Sequence, residues 1–265
     1  MIRDIAGLLR SMENELKART EIAVVGMSGG ADSTLVATLC SHFLGRENVL
    51  GVHLPATSAD LATFNRNSQL VAEALGIRSV LISVGQVSEA LNELVSQAMS
   101  GADLSLVNRG NGRARVRMSC LYALAHHLAD LNPQQRVRVI GTGNLSEDYI
   151  GYDTKGGDAL GDFFLIGELF KSEVYQLLEH FRDQGVLTEA MIDRHPSAGL
   201  WDGQTDEAEL GYRYDEMEKA IRSLLAGDRP GPDASAVMHF VWQRHLAHRH
   251  KHEAPPVMAA RGFCH

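Results

Sequence analysis

Apolar residues follow two rhythms along the chain. Ile5, Leu8, Leu9, Met12 and Leu16 recur every three or four positions, which predicts an amphipathic opening helix. Elsewhere apolar residues run together, over 22–26 (IAVVG), 49–54, 79–84 and 137–142 (VRVIGT). Continuous short runs are the mark of strands buried on both faces. Helical spacing returns between them, over 34–44, 61–75, 87–99 and 113–129, with Gly45 and Gly76 as stops. Turns are predicted at 28–33 (SGGADS) and 109–112 (RGNG). This alternation predicts an α/β chain with an open, doubly wound parallel sheet and helices on both faces.

The second half reads differently. Residues 144–167 hold five glycines, with Gly143 just before, among acids, aromatics and Lys155. They are expected to form a long functional loop. A helix is predicted over 171–181, a second long loop over 194–205, and a helical C-terminal end from Asp206 to about His250, broken at 227–232. The whole of 1–265 is expected to be one domain.

Composition narrows the class. With 45% hydrophobic and 22% charged residues, the chain is neither disordered nor collagenous. At this length about 70% of the unfolded surface can be buried, enough for a core without staples. The net charge of −8 argues against nucleic acid as a partner. No apolar run approaches the length of a membrane span, and the N-terminus lacks a signal-peptide core, so a cytoplasmic location is expected. Cys40, Cys120 and Cys264 form no CxxC pair, and the first two read as small buried hydrophobes. His245, His248, His250, His252 and His265 crowd the C-terminus without tetrahedral metal-ligand spacing.

The chemistry begins at Ser28-Gly29-Gly30-Ala31-Asp32-Ser33, between a strand and a helix. Glycines let the backbone approach a ligand, and the helix N-terminus suits an anion. Asp32 would repel a phosphate unless a divalent cation sits between them. The spacing is neither GxxxxGK[ST] nor GxGxxG. A second cluster follows the fourth strand: Gly141-Thr142-Gly143-Asn144-Leu145-Ser146-Glu147-Asp148, then Lys155, Asp158, Asp162 and Lys171. Ligands of open parallel sheets bind at the carboxyl ends of strands, so Glu147 is expected to face Asp32 across one crevice and share Mg²⁺ with it.

The SGGxDS loop resembles the signature of the ATP pyrophosphatases (the PP-loop, adenine nucleotide alpha hydrolase-like proteins). Five stretches together resemble the NAD synthetases: 28–33, 110–118 (GNGRARVRM), 141–162, 196–211 (PSAGLWDGQTDEAELG) and 250–256 (HKHEAPP). The resemblance covers nearly the whole chain. It implies ATP-dependent amidation of nicotinic acid adenine dinucleotide. ATP would be held by Gly26, Ser28, Gly29, Gly30, Asp32, Ser33, Thr142, Lys171 and Ser197, and Mg²⁺ by Asp32 and Glu147. Arg115, Lys155, Asp162, His250 and Lys251 would bind the dinucleotide. Asp158 matches the acid near the ammonia site, and it and Lys171 would act in catalysis. A homodimer is implied. The chain departs from the common bacterial form at Asp153 and Gly156, where aromatics are usual, and at Val107, where many members place an aromatic.

A carboxylate needs activation before an amine can displace its oxygen, and adenylation with loss of pyrophosphate provides it. Ammonia then attacks the acyl-adenylate and AMP leaves. Glutamine use in this family takes a further domain about as large as this chain, so free ammonia is the expected donor. Two other readings are an amidating ligase for a different carboxylate, which would alter the pocket, and a tRNA thiolase, which would want catalytic cysteines and a basic surface. A binding-only protein would be expected to lack a Mg²⁺ ligand.

Overall fold

The computed structural model describes residues 1–63, 67–192 and 206–254. Five strands form one parallel sheet in the order β3-β2-β1-β4-β5: β1 Ile22–Gly26, β2 Val49–His53, β3 Arg78–Leu81, β4 Val137–Gly141 and β5 Phe163–Phe164. The register pairs Val24 of β1 with Leu50 of β2 and with Val139 of β4. Strand order therefore reverses between β1 and β4, which opens a crevice above their carboxyl ends.

Neighbouring residues of β1 serve opposite faces of the sheet. Ala23 and Val25 join a core with Leu16 of α1 (Ile5–Arg19), Leu35, Leu39 and Cys40 of α2 (Ala31–Leu44), and Leu177, Leu178 and Phe181 of α8 (Lys171–Asp183). Val24 joins Val52 and Val139 against Val116, Met118, Leu121 and Ala125 of α6 (Leu106–Leu131). This two-sided burial explains why the strands are continuous apolar runs. Burial pushes the Cys40 thiol up to about 12, in keeping with a packing role. A third cluster unites α11 (Tyr214–Leu225) and α12 (Ala236–His248) with Ile150 and Phe170. Among the described residues no helix is long and apolar enough to cross a membrane.

Three expectations are corrected. The RGNG segment is not a turn but the first part of α6, which runs unbroken for 26 residues. Its glycines sit where α6 meets α5 (Gly85–Ala98): a Cβ at Gly112 would lie 3.0 Å from Asn92 Oδ1. Within the predicted 61–75 helix the described residues form the end of α3 (Ser58–Thr63) and α4 (Gln69–Leu75), and 64–66 lie outside the described residues. The third strand is Arg78–Leu81 rather than 79–84, because Val84 already starts α5 as its N-cap. The 144–167 loop contains α7 (Leu145–Tyr149) and β5. The predicted loop 194–205 lies outside the described residues.

β5 rests on an unusually close approach. A Cβ at Gly141 would come 2.4 Å from the Phe164 ring, and one at Gly161 would come 3.0 Å from Gly141 N. The two glycines admit the aromatic ring to the sheet edge.

Candidate active site

The carboxyl ends of β1, β2 and β4 open into a cleft of about 560 Å³, within the range of small-molecule sites. One wall is built by the turn from Ser28 to Ser33. Gly29 takes φ +77°, and a Cβ there would come 3.1 Å from Ser68 N, so glycine is needed for both conformation and space. Ser28 Oγ accepts from Gly30 N at 3.2 Å and lies 3.1 Å from Ser33 Oγ. Behind it α2 offers the N-terminus of a 14-residue helix.

Three predicted residues meet at the centre. Lys171, the first residue of α8, places Nζ 2.5 Å from Asp32 Oδ2 and 2.8 Å from Glu147 Oε1. Asp32 comes from the first turn of α2 and Glu147 from α7, on opposite sides of the strand-order reversal. Asn144 caps α7 and donates from Nδ2 to Asp32 Oδ1 at 2.9 Å, which ties the two sides together. Below them Ser146 Oγ accepts from Lys171 N at 2.9 Å and donates to Glu218 at 3.0 Å, fixing the start of α8.

The site is rich in negative charge. Asp32, Glu147, Asp148, Asp153 and Asp158 all line its floor. Burial pushes Glu147 up to about 7, with Asp32 adding and Lys171 opposing. Asp148 is pushed up to about 7 by burial and by Asp153, against His252. Asp158 opens onto the cleft yet is ringed by protein, and this desolvation together with Asp153 raises it above the usual carboxylate range. Burial disfavours the Lys171 charge, but Asp32 and Glu147 outweigh it and hold the ammonium firmly protonated. Lys171 pairs with Asp32 and Glu147, and Lys251 and His252 with Asp153, so the five carboxylates still outnumber the cations paired with them.

The predicted dinucleotide residues divide. Arg115 Nε donates to Lys155 O at 3.2 Å, and Lys155 Nζ donates to His250 O at 2.6 Å. Lys251 Nζ donates to the Gly151 and Asp153 carbonyls at 2.7 and 2.6 Å. Of these four Lys251 lines the cleft, while Arg115, Lys155 and His250 are joined to one another without lining it. Asp162 is set apart: its carboxylate accepts from Val139 N at 2.9 Å and Tyr122 OH at 3.2 Å at the sheet edge. Gly26, Ser28, Gly30, Thr142 and Asp158 line the cleft, and Ser197 lies outside the described residues. Of the departures, Val107 and Asp153 line the cleft, and Gly156, at φ +77°, has open space around it. Asp148, Asp153 and His252 bring one donor atom each within 4.8 Å of one another, but Lys251 and His252 already pair with Asp153 at 3.3 and 2.6 Å.

Sequence reasoning missed Asn144, Asp206 and Tyr214. Asn144 stands three residues before Glu147, the spacing of a helix cap, and that signal was available. The Tyr214 hydroxyl lies 3.1 Å from Glu147 Oε1 and 2.8 Å from Asp206 Oδ2, and no local pattern marks it.

A family described as NAD synthase matches residues 1–254. The NH(3)-dependent NAD(+) synthetase of Methanosarcina acetivorans is 36% identical over 257 residues, 94% of this chain and 95% of that protein. Among solved structures, an NMN synthetase from Francisella tularensis superposes with a TM-score of 0.73 at 31% identity, over 96% of both chains. An NH3-dependent NAD synthetase from Campylobacter jejuni, in complex with nitrate, gives a TM-score of 0.67 at 25% identity over 95% of this chain and 96% of that one.

Proposed function

The chain belongs to the NAD synthase family, and from that premise we propose how its cleft performs the family's reaction. The reaction is ATP-dependent amidation of nicotinic acid adenine dinucleotide to NAD with ammonia as nitrogen donor; the protein is a carbon–nitrogen ligase. The observation that carries the site assignment is the convergence of Asp32 and Glu147 on Lys171 at the strand-order reversal.

The phosphate loop, with Ser28, Ser33 and Thr142, holds the ATP phosphates, joined by Ser197. Hard oxygen donors on both sides of the crevice, in a cleft with surplus negative charge, fit a divalent cation, and Asp32 and Glu147 would hold Mg²⁺. When bound, Mg²⁺ offsets charge on the phosphoryl oxygens. Lys171 brings its own fixed positive charge to the side where pyrophosphate leaves. Arg115, Lys155, His250 and Lys251 receive the dinucleotide, and Asp162 braces the sheet edge through Val139 N and Tyr122 OH. Its nicotinate oxygen attacks the α-phosphorus of ATP, the bond to pyrophosphate breaks, and an acyl-adenylate forms. Ammonia adds to the acyl carbon and AMP departs with the oxygen. Asp158, raised in proton affinity by its surroundings, takes the proton that ammonium must lose before its lone pair is free.

A homodimer belongs to the same reading. Val87, Leu94, Val95 and Met99 form an exposed apolar stripe along α5, and Leu106 and Val107 stand exposed where α6 begins beside it. Such a stripe supports burial against a second copy.

The test is release of pyrophosphate and formation of amide from ATP, Mg²⁺ and ammonium, with the nicotinic acid dinucleotide and mononucleotide supplied separately. Turnover with the dinucleotide is expected, abolished in Asp32→Ala and Glu147→Ala at native circular dichroism. Turnover with the mononucleotide alone would replace the substrate, in line with the likeness to the Francisella protein. Undiminished activity in both variants would overturn the metal assignment.

A further inference from the structure

Asp206 and Tyr214 open two helices, α10 (Asp206–Leu210) and α11, that follow the sheet in the chain, yet Asp206 lines the cleft and Tyr214 reaches Glu147. Asp206 is 2% exposed and Tyr214 7%. Tyr214 N donates to Glu207 at 3.1 Å, which clips the two helix starts together. The hydroxyl then stands between two carboxylates, Asp206 Oδ2 at 2.8 Å and Glu147 Oε1 at 3.1 Å. Lys171 Nζ meets that same Glu147 oxygen at 2.8 Å and lies 5.6 Å from the centre of the Tyr214 ring.

Two donors thus converge on Oε1 of Glu147. A free glutamate side chain rotates about several bonds, and a carboxylate that must meet a cation benefits from being fixed beforehand. With Oε1 occupied by Lys171 and Tyr214, Oε2 is the oxygen turned to other use. A phenolic hydroxyl has one proton, so Tyr214 donates to one carboxylate at a time and its oxygen faces the other. The Lys171 ammonium against both Glu147 and the ring offsets the resulting repulsion.

We propose that Tyr214, seated on Asp206, is a positioning residue for Glu147, holding one carboxylate oxygen on Lys171 and presenting the other to the divalent cation. The proposal rests on Glu147 being a metal ligand, as assigned above.

The test uses the full chain with Mn²⁺ as probe, titrated in the presence of ATP and absence of dinucleotide, with free Mn²⁺ read by electron paramagnetic resonance. Tyr214→Phe keeps the ring and its packing and removes the hydroxyl. It is expected to weaken Mn²⁺ about tenfold, about 1.4 kcal/mol. The Mg²⁺ concentration for half-maximal rate should rise by the same factor, with kcat at saturating Mg²⁺ falling far less. Asp206→Asn leaves ring and hydroxyl in place and should shift Mn²⁺ in the same direction, which serves if Tyr214→Phe fails to fold. Glu147→Gln separates the two readings. Weakened Mn²⁺ in Glu147→Gln with wild-type binding in Tyr214→Phe and Asp206→Asn overturns the positioning role alone. Wild-type Mn²⁺ binding in Glu147→Gln overturns the ligand assignment and the positioning role with it.

Discussion

His53 ends β2 with its ring enclosed: the residue is 1% exposed, and Nδ1 lies 2.9 Å from Ser68 Oγ. Burial lowers its pKa to about 4, against a smaller opposing effect from the Met27 backbone. The unfolded chain takes up a proton near the ordinary value of about 6.5, and the folded chain resists until about 4. Between these values the unfolded state binds more protons, so stability falls as the pH falls, by up to about 3 kcal/mol in all. Urea unfolding at pH 7 and pH 4.5 should show this slope, and His53→Gln should flatten it. An equal slope in that variant would place the acid sensitivity elsewhere. A lone histidine at a strand end carries no pattern, so this group was not legible beforehand. Asp32, Glu147 and Lys171 were, because glycine spacing and clustered charge after apolar runs are local signals. Tyr214 meets Glu147 from 67 positions away and Asp206 meets the same hydroxyl, and only the fold shows it.

Among the elements, β1, β2 and β4 were legible because burial on both faces writes a continuous apolar run. β5 has two residues, too few for any period. The start of α6 was misread because glycine and asparagine signal turns, whereas there Gly112 lets α6 lie close to Asn92 of α5 and Asn111 accepts from Thr154. The α5 stripe yields its own prediction. Leu94 is 65% exposed and Met99 64%. Replacing both with glutamate should leave helicity unchanged and convert a dimer of the 28.9 kDa chain to a monomer, read by light scattering after gel filtration. A monomeric wild type would remove the dimer from the reading.

Across the molecule, the last helices close one end of the cleft formed by residues about 100 positions earlier. Arg244 Nε donates to Ile150 O at 3.0 Å, His245 stacks on Tyr149 with ring centres 4.2 Å apart, and Lys251 spans the Gly151 and Asp153 carbonyls. Asp153 is enclosed by this contact, its side chain 5% exposed between Lys251 and His252. Lys251→Ala should therefore loosen the dinucleotide end and spare the ATP end: KM for the dinucleotide rising about tenfold, about 1.4 kcal/mol, with KM for ATP unchanged. A matching rise for both substrates would show that the contact supports the whole cleft. The overall α/β arrangement was readable from the alternation of runs and helices, but this long-range closure was not, since nothing in the charge run at 248–252 says which carbonyls it meets.

The tight seat of Phe164 against Gly141 and Gly161 reaches beyond the folded molecule, into the routes by which such sequences diverge. While the ring stays, a side chain at 141 collides with it. Once position 164 has shrunk, that obstacle is gone, and after 141 has gained a side chain a return of phenylalanine is blocked instead. Changes here have a required sequence in time: the aromatic must go first, and the second step closes the way back.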